Sequence, residues 1–427
     1  MEEKEIIKVA LDIGNHDIKL LVGRMNSTFD KISIIDYVKV RSKGVRKSEI
    51  ENPEVLLEDL EKAIKKLIDK TGIEFNSLSL SLGGSGIVSA TENARLSFQE
   101  KEIDEETVDE LYKLAKKKIL HNRENDYRVL CKEIYNIRVN NAGIVKQPIG
   151  MLGKDLQADV HIVYIEEAYA EKFIEIINRL GLDVDNIYLS SYVSAKGTLG
   201  DESRKMGVAH VDIGYGVTDI ILLKNYKVLY AKSLALGEMH YISDMIHMFS
   251  MPYEDAAIVL RKFKRKEFET NNTIKYGAKT VALRDMYDMI QARTADIIKF
   301  ITSTIEESGF NGYLAKGIVL TGGVVEIPGV LEQIGAKSGY VVRKELPVEI
   351  KGLNNPFYSD SVVTGIFLED MEKEYRNYIE RKKDINYDTE KTKIDEKDED
   401  LDKILEESKE SEDGFFKRIG KFLSNLI

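Results

Sequence analysis

Two short stretches of the chain carry residue types that could hold a phosphate chain and a divalent cation. In the first, the sequence DIGN begins at Asp12 at the end of an apolar strand, which places Gly14 and Asn15 in a tight turn and Lys19 on the next strand. A glycine turn can present backbone N–H groups to phosphate oxygens, a lysine adds positive charge, and an aspartate can hold the waters of Mg²⁺. Taken alone, the segment also fits an ordinary hairpin with a surface lysine.

A similar pattern occurs about half a chain later. The sequence DIGYG begins at Asp212, so that Gly214 and Gly216 lie in a turn, and Thr218 opens the apolar strand that follows. Asp12 and Asp212 each end an apolar strand and each precede Ile-Gly. Two related hairpins predict duplicated domains that face each other across a cleft, with the phosphates of a nucleotide held from both sides.

A third glycine turn follows the apolar strand at 318–320. Here Thr321 is followed by Gly322 and Gly323. Two adjacent glycines after a buried strand let the backbone approach a flat or charged ligand, where any Cβ would intrude. Such turns are also common structural features of α/β proteins. In the company of the two hairpins, this turn is expected to contact the nucleoside end of the same ligand.

Composition limits the architecture and the partners. The chain has 427 residues, 43% of them hydrophobic, which is ample for a large core and too much for one ordinary domain. The single cysteine, Cys131, argues for a reducing environment. There is no apolar signal-peptide core and no run of about 20 apolar residues. A net charge of −11 argues against general nucleic-acid binding. We expect a cytoplasmic protein, soluble over roughly its first 370 residues.

The order of the three turns resembles that of the actin, Hsp70 and sugar-kinase superfamily, in which two phosphate hairpins precede one adenosine turn. Within this superfamily, the sequence is similar to the FtsA family of bacterial cell-division proteins over nearly the whole chain. The segment 149–163 resembles the signature of the extra domain that FtsA has in place of an actin subdomain. Three further segments carry the resemblance, at 190–199, 281–298 and 353–365.

The resemblance implies an α/β fold, namely a duplicated actin-like (ribonuclease H-like) two-domain fold with an inserted α+β subdomain and a C-terminal amphipathic helix. The implied segments are subdomain 1A at 5–82 and 165–198, the inserted FtsA-type subdomain 1C at 83–164, subdomain 2A at 199–237, subdomain 2B at 238–307, the second part of 2A with the return to 1A at 308–371, a charged flexible linker at 372–413 and a membrane-targeting helix at 414–427.

The resemblance also implies ATP and Mg²⁺ as cofactors. Asp12 and Asp212 would hold the waters of the magnesium ion, and Lys19 would contact the phosphates. The other implied cofactor-binding residues are Gly14, Asn15, Gly214, Gly216, Thr218, Gly322 and Gly323.

A cluster of basic residues lies in the segment implied to be subdomain 2B. It consists of Arg261, Lys262, Lys264, Arg265 and Lys266. Such a cluster fits either a solvated helix end or a contact for an acidic partner peptide. FtsA proteins bind the C-terminal tail of the tubulin-like FtsZ in this subdomain, so the resemblance implies the second role.

The composition changes twice near the C-terminus. Residues 372–413 are dense in Asp, Glu and Lys and indicate a disordered or loosely helical tether. From 414 the sequence GFFKRIGKFLSNLI places its apolar residues on one helical stripe flanked by cations, which is typical of a helix at an anionic membrane surface. A helix packed on its own fold or on a partner is the alternative. The expected membrane-binding residues are Phe415, Phe416, Lys417, Arg418, Ile419, Lys421, Phe422, Leu423, Leu426 and Ile427.

Several positions depart from the family pattern. Tyr215 stands where a glycine is usual, and Val217 where a hydroxyl residue is usual. Ala257 and Leu260 align with a Glu and a Lys that usually contact the ribose and base. Lys196 replaces a residue that is more usually acidic, and its segment offers no Gln or Glu to orient an attacking water. We therefore expect ATP binding with weak or no ATPase activity.

Two classes of function fit these observations. The resemblance implies a structural adaptor that binds ATP, self-assembles into actin-like filaments and tethers FtsZ to the inner face of the cytoplasmic membrane at the division site, with later division proteins as further partners. The alternatives are an active ATPase or small-molecule kinase of the same superfamily, or an actin-like adaptor of another membrane machine such as a pilus base. The segment 149–163 argues against the pilus adaptor, and a lipid-seeking terminal helix argues against a kinase.

Overall fold

The computed structural model describes residues 5–26 and 31–391. Two five-stranded sheets form its frame, and each contains an antiparallel hairpin that is extended by a parallel strand. The helix predicted at 414–427 lies outside the described residues, together with its membrane-binding residues and the predicted linker beyond residue 391.

The first domain is built on one of these sheets and on the helices that cover its two faces. The strand order is β11 (Asp183–Leu189), β6 (Ser77–Leu82), β1 (Ile6–Ile13), β2 (Asp17–Met25) and β3 (Ile32–Arg41). The helices are α1 (Pro53–Thr71) and α3 (Glu167–Arg179) on one face, and α4 (Ser190–Lys196) and α10 (Ser361–Lys391) on the other. A small hairpin, β4 (Val45–Arg46) and β5 (Glu49–Ile50), precedes α1.

Helix α1 shows how local sequence sets these elements. The side chain of Asn52 accepts a hydrogen bond from the N–H of Val55, and Pro53 occupies the first turn, where its missing N–H is not needed. Gly72 ends the helix with φ of 68°, and its N–H donates to Ile68 O. Between these caps, apolar residues at helical spacing, such as Leu60, pack on the first sheet.

An inserted domain interrupts the first domain after β6. Its sheet has the order β7 (Val88–Glu102), β10 (Leu152–Glu166), β8 (Tyr127–Val139) and β9 (Ile144–Val145), and α2 (Glu105–Ile119) covers one face. The insert also contacts the second domain: Glu133 forms an ion pair with Lys227 at 3.0 Å, and Ser89 Oγ accepts a hydrogen bond from the N–H of Ala231.

The second domain is built on the second sheet. The strand order is β14 (Lys227–Leu234), β13 (Thr218–Lys224), β12 (Val208–Ile213), β17 (Ile318–Thr321) and β18 (Val342–Lys344). A short helix, α5 (Asp201–Met206), leads into it. The other elements are α6 (Glu238–Phe249), α7 (Tyr253–Lys264), a hairpin of β15 (Thr273–Tyr276) and β16 (Lys279–Ala282), α8 (Leu283–Glu307) and α9 (Val330–Ser338).

The two sheets repeat each other residue by residue at their central hairpins. In the first hairpin Asp12 lies opposite Lys19, and in the second Asp212 lies opposite Asp219. In both sheets the first strand of the hairpin pairs in parallel with a strand from later in the chain, β6 or β17. The duplication predicted from the two DIG sequences is therefore confirmed.

Helices α4 and α10, which both cover the first sheet, cross in direct backbone contact, and the chain passes to the second domain directly after α4. A Cβ built on Gly365 of α10 would lie 1.6 Å from the carbonyl oxygen of Val193, and one on Gly197 would lie 2.2 Å from Ser361 O. Real Cβ atoms do not approach backbone this closely, so glycine is required on both sides of the crossing.

Helix α10 continues without a break into the segment predicted as a linker. Residues 372–391 are helical, and some of their charged side chains form ion pairs with other residues of the first domain. Glu372 contacts Lys196 of α4, and Arg376 pairs with Glu369 at 2.8 Å. The segment was predicted to be a disordered or loosely helical tether, but ion pairs hold its beginning on the first domain.

The crossing generates a prediction about stability. Gly365→Ala forces a methyl group into the backbone of α4, so we expect a loss of about 2 kcal/mol or more in the free energy of unfolding. Urea denaturation measures it. The control is Gly335→Ala in α9, where the new Cβ meets only ordinary contacts at 3.6 Å or more. This control should gain about 0.5–1 kcal/mol from helix propensity. Equal stability of the two variants would contradict the close crossing.

Candidate functional site

The turns of the two hairpins face a single cleft between the domains, with a volume of about 960 Å³. Most of the sequence-predicted ligand-binding residues line it. These are Asp12, Gly14, Asn15, Lys19, Asp212, Gly214, Gly322 and Gly323. Two others do not: the hydroxyl of Thr218 is buried and donates to Leu236 O at 2.9 Å, and Gly216 packs against the side chain of Asn15.

The first hairpin places a buried cation beside the cleft. The N–H of Gly14 donates to Asp17 O at 3.1 Å and closes the turn. Lys19 Nζ donates to Asp12 Oδ2 at 2.9 Å and to Ser359 O at 2.5 Å, and its residue is only 7% exposed. Burial alone would lower the pKa of Lys19, but the carboxylates of Asp12 and Asp360 outweigh burial and raise this pKa. Lys19 is therefore a permanent positive charge at this end of the cleft.

The second hairpin places a buried carboxylate there. Asp212 Oδ2 accepts hydrogen bonds from Ser194 Oγ of α4 at 2.7 Å and from Ser361 Oγ of α10 at 3.1 Å. Burial raises the pKa of Asp212, while the hydrogen bond from Ser194 and the charge of Lys19 oppose this rise. The carboxylate is thus positioned by both helices of the domain crossing.

The third glycine turn lies directly against this carboxylate. Gly322 has φ of 88°, and a Cβ built on it would lie 2.5 Å from Asp212 Oδ1. Any other residue would be strained in this conformation and would clash with the carboxylate. The turn is extended by a 3₁₀ segment at Gly323–Glu326.

Asp219 is a residue of the cleft that the sequence reasoning missed. It lies on β13 opposite Asp212, as Lys19 lies opposite Asp12, and it lines the cleft. Burial raises the pKa of Asp219 to about 7, although the hydroxyl of Ser233 donates a hydrogen bond to it. Its spacing from Asp212 equals that between Asp12 and Lys19, and this repeat was the signal that could have identified it.

The three carboxylates suit a cation held through its waters. Asp12, Asp212 and Asp219 all line the cleft. Within residues 5–26 and 31–391, however, no three His, Cys, Asp or Glu side chains are grouped closely enough to hold a metal directly. Mg²⁺ keeps several of its waters and is usually bound by one or two carboxylates together with substrate phosphates. The residues present therefore fit a hydrated magnesium ion that is completed by a phosphate ligand.

Beside the third glycine turn, the cleft is lined by an ion pair that the sequence did not predict. Glu238, at the start of α6, forms an ion pair with Lys264 of α7 at 2.7 Å. A Cβ built on Gly323 would lie 2.9 Å from this carboxylate, so the pair borders the glycine turn. Ala257 faces the cleft, as the alignment implied, whereas Leu260 is buried in the core.

The predicted basic cluster is divided between the cleft and other surroundings. Arg261, Lys264 and Arg265 line the cleft. Lys262 Nζ instead donates to Lys275 O on β15 at 3.1 Å, and Lys266 follows α7 with φ of 55°. Because positions 261, 264 and 265 share one side of a helix, the structure assigns them to the cleft wall and leaves Lys262 and Lys266 outside it.

The buried carboxyl of Asp219 generates a prediction about pH. Its pKa is raised from 3.8 to about 7 in the folded protein, so its protonation adds stability that is fully present below about pH 4 and is lost as the pH rises through about 7. Asp219→Asn stays neutral, so its stability relative to the native chain should increase by about 2–4 kcal/mol between about pH 4 and pH 8. Urea denaturation at several pH values measures this difference.

The control for this prediction is Asp288→Asn, which changes an exposed carboxylate on α8. It separates the effect of the buried site from the general effect of removing one negative charge. A pH-independent difference between Asp219→Asn and the native chain would show that the carboxyl of Asp219 is not held protonated in the folded state.

None of the helices in the described ranges is both long and apolar enough to cross a membrane.

Comparison with known proteins identifies the insert and relates more than four fifths of the chain to one group of proteins. A family model described as the SHS2 domain inserted in FtsA matches residues 84–164. The cell division protein FtsA of Borreliella burgdorferi is 26% identical over 381 residues, which cover 86% of this chain and 91% of that protein. FtsA of Pseudomonas aeruginosa is 24% identical over 379 residues, with 86% and 89% covered. FtsA of Escherichia coli K12 is 25% identical over 374 residues, with 83% and 88% covered.

Solved structures share the fold. A chain of the PilM–PilN type IV pilus biogenesis complex superposes with a TM-score of 0.63 at 12% identity, covering 85% of this chain and 98% of that one. MreB5 of Spiroplasma citri bound to ADP superposes with a TM-score of 0.50 at 11% identity, covering 88% and 98%. At this identity the similarity shows the fold alone. The insert and the relatives confirm the similarity to FtsA proteins that the sequence indicated, and the solved structures confirm the duplicated actin-like fold.

Proposed function

We propose that the protein binds Mg-ATP in the cleft between its domains and acts in cell division as an actin-like adaptor that links FtsZ to the membrane. The observation that carries the nucleotide part is the meeting of three glycine turns, Lys19 and buried carboxylates around one cleft. The division role is supported by relatives that are named cell division protein FtsA over more than four fifths of this chain.

Each hairpin has a defined part in holding the ligand. Lys19 forms an ion pair with Asp12 in this structure, and its ammonium group is the cation that phosphate oxygens can contact. Gly14 and Gly214 allow the backbone of their turns to approach the phosphates without a side chain between them. Magnesium supplies charge neutralisation to the phosphates, and Asp12 and Asp212 orient its waters.

The cleft is suited to holding ATP rather than to hydrolysing it quickly. A water molecule that attacks the terminal phosphate must be oriented by a side chain such as Gln or Glu. Residues 190–199, which lead from the first domain towards the second, contain no acidic or amide side chain. Ser194 is committed to Asp212, and Lys196 to the glutamates of α10. We therefore infer weak or no ATPase activity.

The membrane and filament parts of the proposal rest on sequence. The tail at 414–427 is short, and a single weak anchor gives reversible attachment. Assembly into a filament would place many tails on the same surface, and the effective concentration could raise avidity by roughly 10²–10⁴. Self-assembly would in this way control attachment at the cytoplasmic side of the membrane.

The C-terminal tail of FtsZ is proposed to bind the subdomain that carries Lys262 and Lys266. These are the two residues of the basic cluster that do not line the cleft.

The first prediction from this proposal concerns ATP binding. Lys19→Ala should weaken the binding of Mg-ATP by about tenfold to a hundredfold, because one charged hydrogen-bond donor to phosphate is lost. Isothermal titration calorimetry measures the affinity. Arg24→Ala, which removes an exposed cation from the same strand, is the matched control and should bind as the native chain does.

Removal of a buried cation can also disturb the fold, so thermal unfolding is recorded for each variant. Lys19→Met keeps most of the side-chain volume and serves as the second variant. If a folded Lys19 variant bound ATP with native affinity, the first hairpin would not be a phosphate site. If the native chain itself bound no ATP, the nucleotide part of the proposal would be wrong.

The second prediction concerns the membrane tail. Phe422→Glu places a charge on the apolar stripe and should abolish cosedimentation with vesicles of anionic phospholipid, because the apolar face could no longer enter the interface. Ser424→Glu adds the same charge off the stripe and is the matched control. It should retain most of the binding. Equal loss in both variants would point to general repulsion from anionic lipid, and equal retention would place the anchor elsewhere.

A further inference from the structure

Four side chains from both domains meet at one edge of the cleft. Arg41, at the end of β3, donates a hydrogen bond to the hydroxyl of Tyr253 at 3.0 Å, and its guanidinium lies 5.6 Å from the ring centre of Tyr215. His16, in the turn of the first hairpin, contacts Tyr215 edge to face at 5.0 Å. The hydroxyls of Tyr215 and Tyr253 are hydrogen-bonded at 2.5 Å. We name His16, Arg41, Tyr215 and Tyr253 the cross-cleft clasp.

The clasp joins two elements of the first domain to two elements of the second. His16, in the turn of the first hairpin, and Arg41, at the end of β3, belong to the first domain, whereas Tyr215 lies in the turn of the second hairpin and Tyr253 begins α7. The hydrogen bond between Tyr215 and Tyr253 links the two rings, and Arg41 and His16 of the first domain contact this pair. Opening the cleft at this edge must therefore break a charged hydrogen bond, a cation–π contact and an aromatic contact together.

The clasp is also a partition between two cavities. Arg41, Tyr215 and Tyr253 line the main cleft and also a second cavity of about 380 Å³. Asn15 lines both cavities as well, and the second cavity is otherwise lined by residues between 45 and 51 and by one side of α6, including Arg46 and Met239. Separation of the clasp would join the two cavities and open the phosphate end of the main cleft to this side.

The backbone under Tyr215 is fixed, so the clasp has a rigid base. The N–H of Glu238 donates to Gly214 O at 3.0 Å, and the N–H of Met239 donates to Tyr215 O at 2.9 Å. A Cβ on Gly237 would lie 2.6 Å from both carbonyl oxygens, so α6 begins in direct contact with the turn. Because α6 holds this turn, the clasp opens by relative movement of the domains and not by movement of the turn alone.

We propose that the cross-cleft clasp is the gate that sets the rate at which nucleotide enters and leaves the cleft. The inference rests on the proposed binding of Mg-ATP, and it assigns the control of exchange to Tyr215 and its contacts. The clasp contacts only the two domains and, in this proposal, forms equally in the empty and the occupied cleft. It therefore slows both binding and release, and it has little effect on the equilibrium between them.

The experiment is stopped-flow measurement of a fluorescent ATP analogue with Mg²⁺, in both directions, on the full chain. Tyr215→Gly removes the ring and its hydroxyl, and both rate constants should rise about tenfold while the dissociation constant changes by less than about threefold. Tyr215→Phe keeps the ring and removes the hydroxyl that is hydrogen-bonded to Tyr253, so a smaller rise in both rates is expected. The matched control is Tyr226→Gly, at a turn residue with φ of 62° at the far end of β13, which should leave both rates unchanged.

The measured rates distinguish a gate at Tyr215 from a direct ligand contact and from a residue with no part in exchange. A faster release with unchanged binding rate, and hence a weaker affinity, would make Tyr215 a ligand contact and overturn the gate. Unchanged rates in a folded Tyr215→Gly variant would also overturn it, while leaving the proposed nucleotide binding intact. Absence of any binding by the native chain would overturn both proposals, and thermal unfolding of each variant separates misfolding from these results.

Discussion

The cleft depends on the backbone contact between α4 and α10. Gly197 and Gly365 let these helices cross without a side chain between them, and the carbonyl oxygen of Val193 occupies the space that a Cβ would need. The same crossing positions the chemistry of the cleft, because Ser194 of α4 and Ser361 of α10 both donate to Asp212. A carboxylate of the second domain is thus oriented by helices that pack on the first. Any change in the crossing angle would move Asp212 relative to Lys19.

Helix α10 connects this site with the C-terminal segment. Just before its first turn, Ser359 O accepts a hydrogen bond from Lys19. About two and a half turns into the helix, Asp370 is buried and accepts hydrogen bonds from Ser79, Asn186 and Tyr188, and burial raises the pKa of Asp370 to about 6. The helix is therefore fixed to the first domain by polar as well as apolar contacts. The tail predicted to bind membrane follows an element that begins at the cleft.

Those parts of the candidate site that are formed by residues close together in the sequence could be predicted from the sequence. A strand, an aspartate and a glycine turn are adjacent residues, so Asp12, Asp212 and Gly322 could be identified from strand patterns and glycine geometry. Lys19 could be identified because a hairpin fixes its partner across two strands. Parts that depend on distant elements could not be identified. The pair of Glu238 and Lys264 joins two helices, and nothing in the sequence indicates their contact.

The sequence contained the information needed to divide the basic cluster correctly, but it did not contain the information needed to recognise the contacts of Tyr215. The basic cluster was treated as one surface, although the helical period places Arg261, Lys264 and Arg265 on one side and Lys262 on another. Tyr215 was noted only as a departure from the family pattern. Its contacts with Arg41 and Tyr253 depend on the packing of the two domains, so its role becomes visible only in the structure.

Lys196 shows how a departure from the family pattern can serve structure instead of catalysis. Its ammonium group is buried and contacts the carboxylates of Glu369 and Glu372 on α10, and burial of such a charge is costly unless it is paired. An acidic residue at this position would meet two glutamates and would repel α10 from α4. The lysine therefore reinforces the crossing on which Asp212 depends. In this chain, a position where an acidic residue would be more usual holds α4 against α10 and offers no group to orient an attacking water, which fits the weak or absent ATPase activity that we propose.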